Sequence, residues 1–371
     1  MKIAIDNGPL TSGDSIRGVG FYTKELIKAL EIESKKEKDL NVVALDSETL
    51  QKRANEFDVI HIPYFNPFFP TIPTDLPTKV VVTIHDIIPL LYPDKYVSGF
   101  KGKVRLKKQK RALTTIDAVI TDSEASKKDI VRLLGVPKER IVPTHLAAAS
   151  HFRKLTSTSR INSVRTKFNL PDTFVLYVGD VNYNKNISVL VKATLLAKVP
   201  LVIVGKHAVN IDNFQSELQN LVGPRDWIRY LFGKPHPELA HYHDLLELFK
   251  YPHVKRLGFV SDEDLVGVYN AATLYCQPSF AEGFGFPVVE AFACGTPVVI
   301  SQSQALVEIA DGAAALAKNN DEKDFAKKIS KMITGSSYRN DFVRKAKEKS
   351  KEYTWKKTAR ETIAVYRRVC E

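Results

Sequence analysis

Residues 279–299 read SFAEGFGFPVVEAFACGTPVV and begin where a predicted strand ends in YCQPS. The pattern predicts a turn over 281–286, whose glycines let the backbone come close to a ligand. Pro287 suits the first turn of a helix and Gly295 suits a C-terminal cap, so we expect a helix between them. TPVV then starts the next strand. This strand–turn–helix–strand unit is typical of a parallel sheet covered by helices.

An acidic residue stands on each side of this turn, Glu282 before it and Glu290 after it. The helix N-terminus offers N–H groups and the positive end of a dipole, which favour a phosphate or diphosphate. Glu290 lies about one turn into the helix, where a carboxylate can accept two hydrogen bonds from a ribose diol. The Glu282 carboxylate can accept hydrogen bonds from a polyhydroxylated group that is attached beyond the phosphates. The residues therefore predict a site for ribose, diphosphate and sugar, in that order.

Short apolar strands alternate with amphipathic stretches along the whole chain, which predicts parallel sheets with helices on both faces. The first strand candidates are 2–6, 41–45, 59–63, 79–85, 118–122 and 140–144. After a polar segment at 154–172, the later candidates are 174–180, 200–205, 254–260, 272–278 and 296–301. We expect two doubly wound α/β domains in tandem, with the site in the cleft between them.

The length of 371 residues suits two domains. No apolar run approaches the roughly 18–20 residues of a membrane span. The N-terminus MKIAIDNGPL reads as a first strand and lacks the pattern of a signal peptide, so we expect a cytosolic protein. Cys276, Cys294 and Cys370 lie far apart without metal-ligand spacing, which favours incidental thiols in a reducing compartment.

The net charge of +12 permits an anionic partner. Residues 99–111, GFKGKVRLKKQKR, contain seven basic side chains and no acid. This segment is either a solvated helix face or a docking surface for an anionic membrane. Nucleic acid is disfavoured, because no aromatic interleaving or binding motif accompanies the charge.

Two sets of residues superficially suggest metal sites. His236, His241 and His243 lie in a long insertion at 206–253, but their spacing matches no closed ligand pattern. Asp262 and Asp264 form an Asp-x-Asp pattern, yet their place after Ser261 favours a capped helix start with acids in its first turn. We expect no metal.

The 279–299 segment resembles the glutamate–seven residues–glutamate signature of retaining GT-B glycosyltransferases, family 4 in particular. The matching residues are Glu282, Gly283, Phe284, Gly285, Pro287, Glu290, Ala291, Ala293, Gly295, Pro297, Val298 and Val299. The resemblance implies a GT-B fold, in which two Rossmann-like domains face each other across a cleft. It implies an N-terminal acceptor-side domain over 1–160, a nucleotide-sugar domain over 161–350, and a helix over 351–371 that crosses back.

Other segments resemble the family's remaining donor-binding parts. RGVGFYTKEL, with Gly18 and Gly20, resembles its first glycine-rich loop, and TIHDIIPLLYP resembles the strand end that carries a histidine near sugar and acceptor, here His85. VGDVNYNKN resembles the V-G-x-x-x-x-R-K-N segment, whose lysine is Lys185 here. The segment that contains Val260, RLGFVSDEDL, resembles the part that holds the nucleotide base.

The resemblance assigns a role to each residue of the signature. Glu290 is expected to hold the ribose, and Lys185 the diphosphate together with the backbone amides of Gly283, Phe284, Gly285 and Phe286. Glu282 is expected to contact the donor sugar. The implied activity is transfer of a hexose, with retention, from GDP-mannose or a UDP-sugar to an acceptor hydroxyl of a glycan or lipid-linked precursor. The donor is a substrate, and no cofactor is expected.

The sequence departs from the family pattern beside Lys185. Many relatives have arginine shortly before this lysine, whereas this chain has Asp180 after Gly179 and Asn184 next to Lys185. A scaffold that has lost catalysis therefore stays open as an alternative, as does other GT-B chemistry such as a 2-epimerase or phosphorylase. A dehydrogenase is disfavoured, because no G-x-G-x-x-G follows a strand and opens a helix.

Overall fold

A computed structural model describes residues 1–11, 18–73, 76–211, 231 and 237–371. Within these residues, twelve strands form two six-stranded parallel sheets. The chain divides into two units, one for each sheet. Unit 1 comprises Met1–Leu91, Ser98–Ala147 and Tyr353–Glu371, and unit 2 comprises Tyr92–Val97 and Ala148–Glu352.

The sheet of unit 1 has the strand order β2-β1-β3-β4-β5-β6. Its strands are β1 Lys2–Asp6, β2 Asn41–Leu45, β3 Val59–Ile62, β4 Lys79–Thr83, β5 Ala118–Thr121 and β6 Ile141–Pro143. The helices described in the N-terminal part are α1 Gly8–Thr11, α2 Gly18–Ser34, α3 Ser47–Lys52, α4 Ile88–Leu91, α5 Gly99–Thr115 and α6 Glu124–Leu134. Strands β3 and β5 are buried throughout, as expected for parallel strands covered on both faces.

Helix α6 illustrates how local sequence sets the element boundaries. The Ser123 side chain accepts a hydrogen bond from the backbone N–H of Ser126 and caps the N-terminus. Gly135 ends the helix in the left-handed region at φ 75°, a conformation that costs glycine little.

The sheet of unit 2 has the strand order β12-β11-β10-β7-β8-β9. Its strands are β7 Val175–Val178, β8 Leu201–Val204, β9 Val254–Leu257, β10 Leu274–Gln277, β11 Val298–Ser301 and β12 Ala315–Ala317. The described helices are α7 Thr158–Lys167, α8 Ile187–Leu196, α9 Lys206–Val209, α10 Pro237–Leu248, α11 Asp262–Ala271, α12 Phe286–Cys294, α13 Gln304–Ala310, α14 Glu322–Thr334 and α15 Ser336–Ser350. Val175, Leu201 and Val299 are fully buried in its core.

The last helix, α16 Trp355–Cys370, belongs to unit 1 rather than to the unit that precedes it in sequence. Its Tyr366 hydroxyl lies 2.7 Å from Nδ1 of His61, and the Nε2 of His61 lies 2.7 Å from the hydroxyl of Thr83. Burial lowers the pKa of His61 to about 3, so this ring stays neutral. A buried and uncharged hydrogen-bond network therefore joins α16 to strands β3 and β4 of unit 1.

The structure confirms the predicted alternation of strands and helices and adds strand β12, which the sequence did not predict. The 206–253 insertion includes α9 and α10, while residues 212–230 and 232–236 lie outside the described part. Among the described residues, no helix has both the length and the apolar character needed to cross a membrane.

Candidate active site

The strand order of unit 2 identifies where a ligand would bind. The chain runs from β7 outward through β8 and β9, and then returns to place β10 on the other side of β7. Such a reversal opens a crevice at the carboxyl ends of the two central strands. The segment that bears Lys185 follows β7, and the segment that bears Glu282 follows β10. Both predicted residues therefore lie at the switch point of the same sheet.

Lys185 and Glu282 form an ion pair at this point. The Nζ of Lys185 lies 2.9 Å from Oε1 and 2.8 Å from Oε2 of Glu282. The Lys185 side chain is 21% exposed and that of Glu282 is 8% exposed, so the pair is shielded but reachable. The sequence predicted both residues for the site but did not predict that they would contact each other.

Two polar residues of β10 and its end also hold Glu282. The amide nitrogen of Gln277 donates to Oε1 of Glu282 at 2.6 Å, and the hydroxyl of Ser279 donates to the same oxygen at 2.6 Å. Gln277 also accepts a hydrogen bond from the hydroxyl of Tyr275. Sequence reasoning missed these partners. The sequence feature that could have indicated Gln277 and Ser279 is that polar side chains appear at the end of an otherwise apolar buried strand.

The glycine-rich turn leads into helix α12 as predicted. Gly285 is the N-cap at φ 113°, and a Cβ there would lie only 2.8 Å from a methyl carbon of Leu306. Glycine is therefore favoured by the backbone conformation, and a larger residue would also require the Leu306 side chain to shift. Pro287 stands in the first turn, and Gly295 caps the C-terminus at φ 68°. The positive end of the helix dipole points into the turn that Gly283, Phe284 and Phe286 help to form.

Glu290 lies inside α12, where its Oε2 accepts a 2.8 Å hydrogen bond from the hydroxyl of Tyr269. Burial raises the pKa of the Glu290 carboxyl to about 7, the Tyr269 hydrogen bond opposes this, and the charge of Asp262 adds to it. Tyr269 is fully buried on α11 and was not predicted. Along the chain, Glu282 precedes the N-terminus of α12 and Glu290 lies inside the helix, and each carboxyl group has its own hydrogen-bond partners.

In unit 1, His85 follows β4 and contacts the ends of both neighbouring strands. Its Nδ1 lies 2.8 Å from Oδ2 of Asp122, after β5, and its Nε2 lies 3.2 Å from the carbonyl oxygen of Pro63, after β3. Burial alone would lower the pKa of His85, but the charge and hydrogen bond of Asp122, with contributions from Asp86 and Pro63, raise it above its ordinary value. Two acceptors facing the two ring nitrogens favour the doubly protonated ring.

The remaining predicted residues are dispersed. Gly18 and Gly20 lie in the first turn of α2 in unit 1, and residues 12–17 before them are outside the described part. Val260 is buried just before Ser261, whose side chain caps α11 in unit 2. The structure therefore groups Lys185, Glu282 and Glu290 in unit 2, with His85, Gly18 and Gly20 in unit 1.

The residues considered for metal binding make other contacts. Asp264 lies 2.6 Å from Nζ of Lys167 and accepts a hydrogen bond from Ser261, which confirms the predicted helix start. The Nε2 of His241 lies 2.8 Å from the carbonyl oxygen of Val181. His236 lies outside the described residues. Among the residues that the structure describes, no cluster of three or more potential metal ligands is found.

Family models match most of the chain. Residues 159–349 match the model for glycosyl transferases group 1, and residues 35–145 match the model for Glycosyltransferase Family 4.

Two relatives from Escherichia coli are mannosyltransferases by name. O-antigen chain mannosyltransferase B is 29% identical over 299 residues, which are 78% of this chain and 70% of that protein. The serotype-specific mannosyltransferase WbdA is 26% identical over 301 residues, 80% of this chain and 34% of WbdA. The chain thus spans about a third of the length of WbdA.

Solved structures match the fold over nearly the full length. Sucrose-phosphate synthase from Thermosynechococcus elongatus has a TM-score of 0.68 at 19% identity, covering 99% of this chain and 98% of that one. Anabaena Alr3699/HepE in complex with UDP-glucose has a TM-score of 0.67 at 18% identity, covering 98% and 99%. Together with the two parallel sheets, these matches confirm the predicted GT-B fold.

Proposed function

The chain belongs to the group 1 glycosyl transferases, and we propose from this that it is a retaining hexosyltransferase that uses a nucleoside diphosphate sugar. The observation that carries the proposal is the placement of Lys185 and Glu282 beside the glycine turn, with Glu290 inside the helix that follows. A cation and a helix N-terminus suit the diphosphate, and the two carboxylates suit the hydroxyl-rich groups on either side.

The reaction breaks the bond between the anomeric carbon of the sugar and the diphosphate oxygen. Negative charge then builds on the departing diphosphate, where the Lys185 ammonium and the positive end of α12 stabilise it. The acceptor hydroxyl forms the new bond to the anomeric carbon from the same face, and its proton passes to the departing diphosphate. The sugar therefore keeps its configuration. Because these groups already supply positive charge, the proposal needs no metal or other cofactor.

The roles of individual residues follow from their positions. Glu290 accepts hydrogen bonds from the ribose, and the backbone of Gly283–Phe286 holds the diphosphate. Glu282 contacts the hydroxyls of the donor sugar and lies on the side where positive charge develops at the anomeric carbon. In unit 1, His85 contacts the sugar or the acceptor as a charged ring.

The names of the relatives narrow the choice of sugar donor. The E. coli proteins are mannosyltransferases by name, which supports a mannosyl donor such as GDP-mannose. A structural neighbour binds UDP-glucose, so UDP-sugars belong in any screen. The relative named O-antigen chain mannosyltransferase B supports an acceptor that is a growing glycan or a lipid-linked precursor.

Helix α5 supports a peripheral contact with an anionic membrane. Its basic side chains are exposed at Lys101, Lys103, Arg105, Lys107, Lys108, Lys110 and Arg111. Phe100 is 73% exposed and Val104 is 42% exposed on the same helix, so apolar groups accompany the charge. A surface of this kind attracts anionic lipid head groups and would bring the protein to a lipid-linked acceptor.

A donor screen tests the proposal. The protein is incubated with GDP-mannose, UDP-glucose, UDP-N-acetylglucosamine and related nucleotide sugars, and release of the nucleoside diphosphate is measured. We expect release from at least one donor and its loss in Glu282→Ala, with circular dichroism confirming that the variant is folded. Analysis of the sugar product separates glycosyl transfer from 2-epimerisation. No release from any donor, or equal release by Glu282→Ala, would refute the proposal.

A further inference from the structure

A six-residue segment of the N-terminal sequence, Tyr92–Val97, belongs to unit 2. The ring of Tyr92 lies 5.7 Å from that of Tyr183 and 6.5 Å from that of Phe280. The ammonium of Lys95 lies 4.9 Å from the centre of the Tyr183 ring. Tyr183 begins the short 3-10 turn that ends at Lys185, and Phe280 lies two residues before Glu282. The segment therefore packs on both pieces of chain that form the ion pair.

Tyr96, in the same segment, forms hydrogen bonds with Asn184, the residue before Lys185. The hydroxyl of Tyr96 donates to Oδ1 of Asn184 at 2.7 Å, and the backbone N–H of Asn184 donates back to that hydroxyl at 3.3 Å. The side chain of Asn184 is buried. A part-buried hydrogen bond to a buried side chain restrains its partners, because breaking it leaves a buried polar atom of Asn184 without compensation.

Asn184 also bonds to the loop that carries Glu282. Its side-chain Nδ2 donates to the carbonyl oxygen of Ala281 at 3.1 Å, and its own carbonyl oxygen accepts from the N–H of Phe280 at 2.7 Å. Asn184 thus connects three pieces of chain: the Tyr92–Val97 segment, the turn with Lys185 and the loop with Glu282.

The chemistry of asparagine explains why it occupies this position. Its amide has both an acceptor, used by Tyr96, and a donor, used by Ala281. A cationic side chain such as arginine at this position would offer donors only and could not accept the hydrogen bond from Tyr96. Asn184 therefore combines the link to Tyr96 with the link to the loop of Glu282.

We propose that Tyr96 is a positioning residue for Lys185: through Asn184 it holds the lysine-bearing turn against the loop of Glu282. The catalytic part of this inference rests on the function proposed for Lys185 above. Removing the Tyr96 hydroxyl leaves Oδ1 of Asn184 buried without its donor, so the turn relaxes and Lys185 loses its fixed distance to the diphosphate. Small displacements of a charged group that stabilises a transition state lower the rate strongly.

The first test needs no turnover. Amide hydrogen exchange is measured over peptides covering 181–187 and 279–283 in the wild type and in Tyr96→Phe, which keeps the ring and removes the hydroxyl. We expect faster exchange in both peptides. The matched control is Tyr251→Phe, because Tyr251 is an exposed tyrosine of the same unit that packs on His253. Unchanged exchange over 181–187 in Tyr96→Phe would overturn the proposal.

The second test asks whether Tyr96 acts through Lys185. We expect Tyr96→Phe to lower kcat for nucleotide release by about 3- to 10-fold, the range for one lost hydrogen bond, with circular dichroism confirming that the variant is folded. In a Lys185→Gln background, the same substitution should have no further effect on kcat. An equal additional loss in that background would overturn the proposal. If the wild type turns over no donor, the proposed function fails, while the exchange measurement still decides whether Tyr96 holds the turn.

Discussion

The Nζ of Lys185 lies within 2.9 Å of both carboxylate oxygens of Glu282. The cation proposed to meet the diphosphate is therefore paired with the carboxylate proposed to meet the donor sugar. A bound donor has to compete with Glu282 for the ammonium. The ion pair restrains the Lys185 side chain at the carboxyl end of β7.

Removing the charge of Lys185 tests its part in the reaction. We expect Lys185→Gln to lower kcat for nucleotide release on the order of 100- to 1,000-fold, the range for losing a preorganised group that stabilises departing charge. Steady-state kinetics with the preferred donor provide the measurement. Lys192→Gln, at an exposed lysine on α8, is the control and should retain the wild-type rate. A Lys185→Gln variant as active as the control would remove Lys185 from the mechanism.

The raised pKa of Glu290 predicts that the free energy of unfolding depends on pH. The unfolded carboxyl loses its proton near pH 4.5, whereas the folded one keeps it to about pH 7. Between these values the folded state binds more protons, so this group's contribution to stability falls as pH rises and then levels off. We expect Glu290→Gln, which keeps an acceptor for Tyr269, to increase the free energy of unfolding by about 1–3 kcal/mol at about pH 8, and by much less at about pH 5.

Urea unfolding at the two pH values measures this effect. Glu139→Gln, at an exposed glutamate of unit 1, is the control and should show no such pH dependence. A difference between Glu290→Gln and wild type that does not grow as pH rises would show that the carboxyl is not held protonated by its surroundings.

Asp122 is expected to keep the His85 ring charged. In Asp122→Asn, burial acts on His85 without the opposing carboxylate, so its pKa should fall below the ordinary histidine value. In the wild type, the stabilisation from the charged ring is present below about pH 6.5 and is lost as pH rises through the raised pKa. NMR titration of the histidine ring protons, with His85→Gln for assignment, measures the change.

Asp86→Asn is the matched control, because Asp86 contributes less to the raised pKa of His85 than Asp122 does. We expect a smaller decrease in that variant. An unchanged His85 pKa in Asp122→Asn would contradict the account of this pair.

The basic surface of α5 predicts binding to anionic lipid. Charge reversal to glutamate is proposed at Lys107, Lys108, Lys110 and Arg111. We expect this variant to lose sedimentation with vesicles containing phosphatidylglycerol, because the attraction is electrostatic, and we expect salt to weaken wild-type binding.

A second variant controls for net charge. It reverses four exposed lysines of unit 2, Lys318, Lys323, Lys327 and Lys347. This variant should bind the vesicles as the wild type does. Unchanged vesicle binding after reversal on α5 would exclude this helix as the membrane surface.

Sequence alone predicted most strands of the fold, since buried parallel strands such as Val59–Ile62 and Val298–Ser301 are short runs of apolar residues bounded by turns. Strand β12 was missed because its three residues, ALA, carry no β-branched or aromatic side chain. The glycine turn and both caps of α12 were predicted because they depend on local backbone conformation.

The residues that hold the site were not predictable in the same way. Tyr96 and Asn184 are 88 positions apart in sequence, and Lys185 and Glu282 are 97 apart. Such pairs form only when strand order brings the loops together, and a single sequence carries no local signal for them. The motif predicted Lys185 and Glu282 for the site, and the topology of the sheet explains why these two residues contact each other.

Binding of nucleoside diphosphates without sugar tests the division of roles most directly. Isothermal titration calorimetry with GDP and UDP is done on the wild type and on Lys185→Gln, Glu290→Gln and Glu282→Gln. The first two variants should bind the preferred nucleotide at least about tenfold more weakly, because they lose the diphosphate and ribose contacts. Glu282→Gln should bind it as tightly as the wild type or more tightly, since the Lys185 ammonium no longer faces a competing carboxylate, while losing turnover of the sugar donor. Absence of nucleotide binding by the wild type, or wild-type affinity in both Lys185→Gln and Glu290→Gln, would contradict the account.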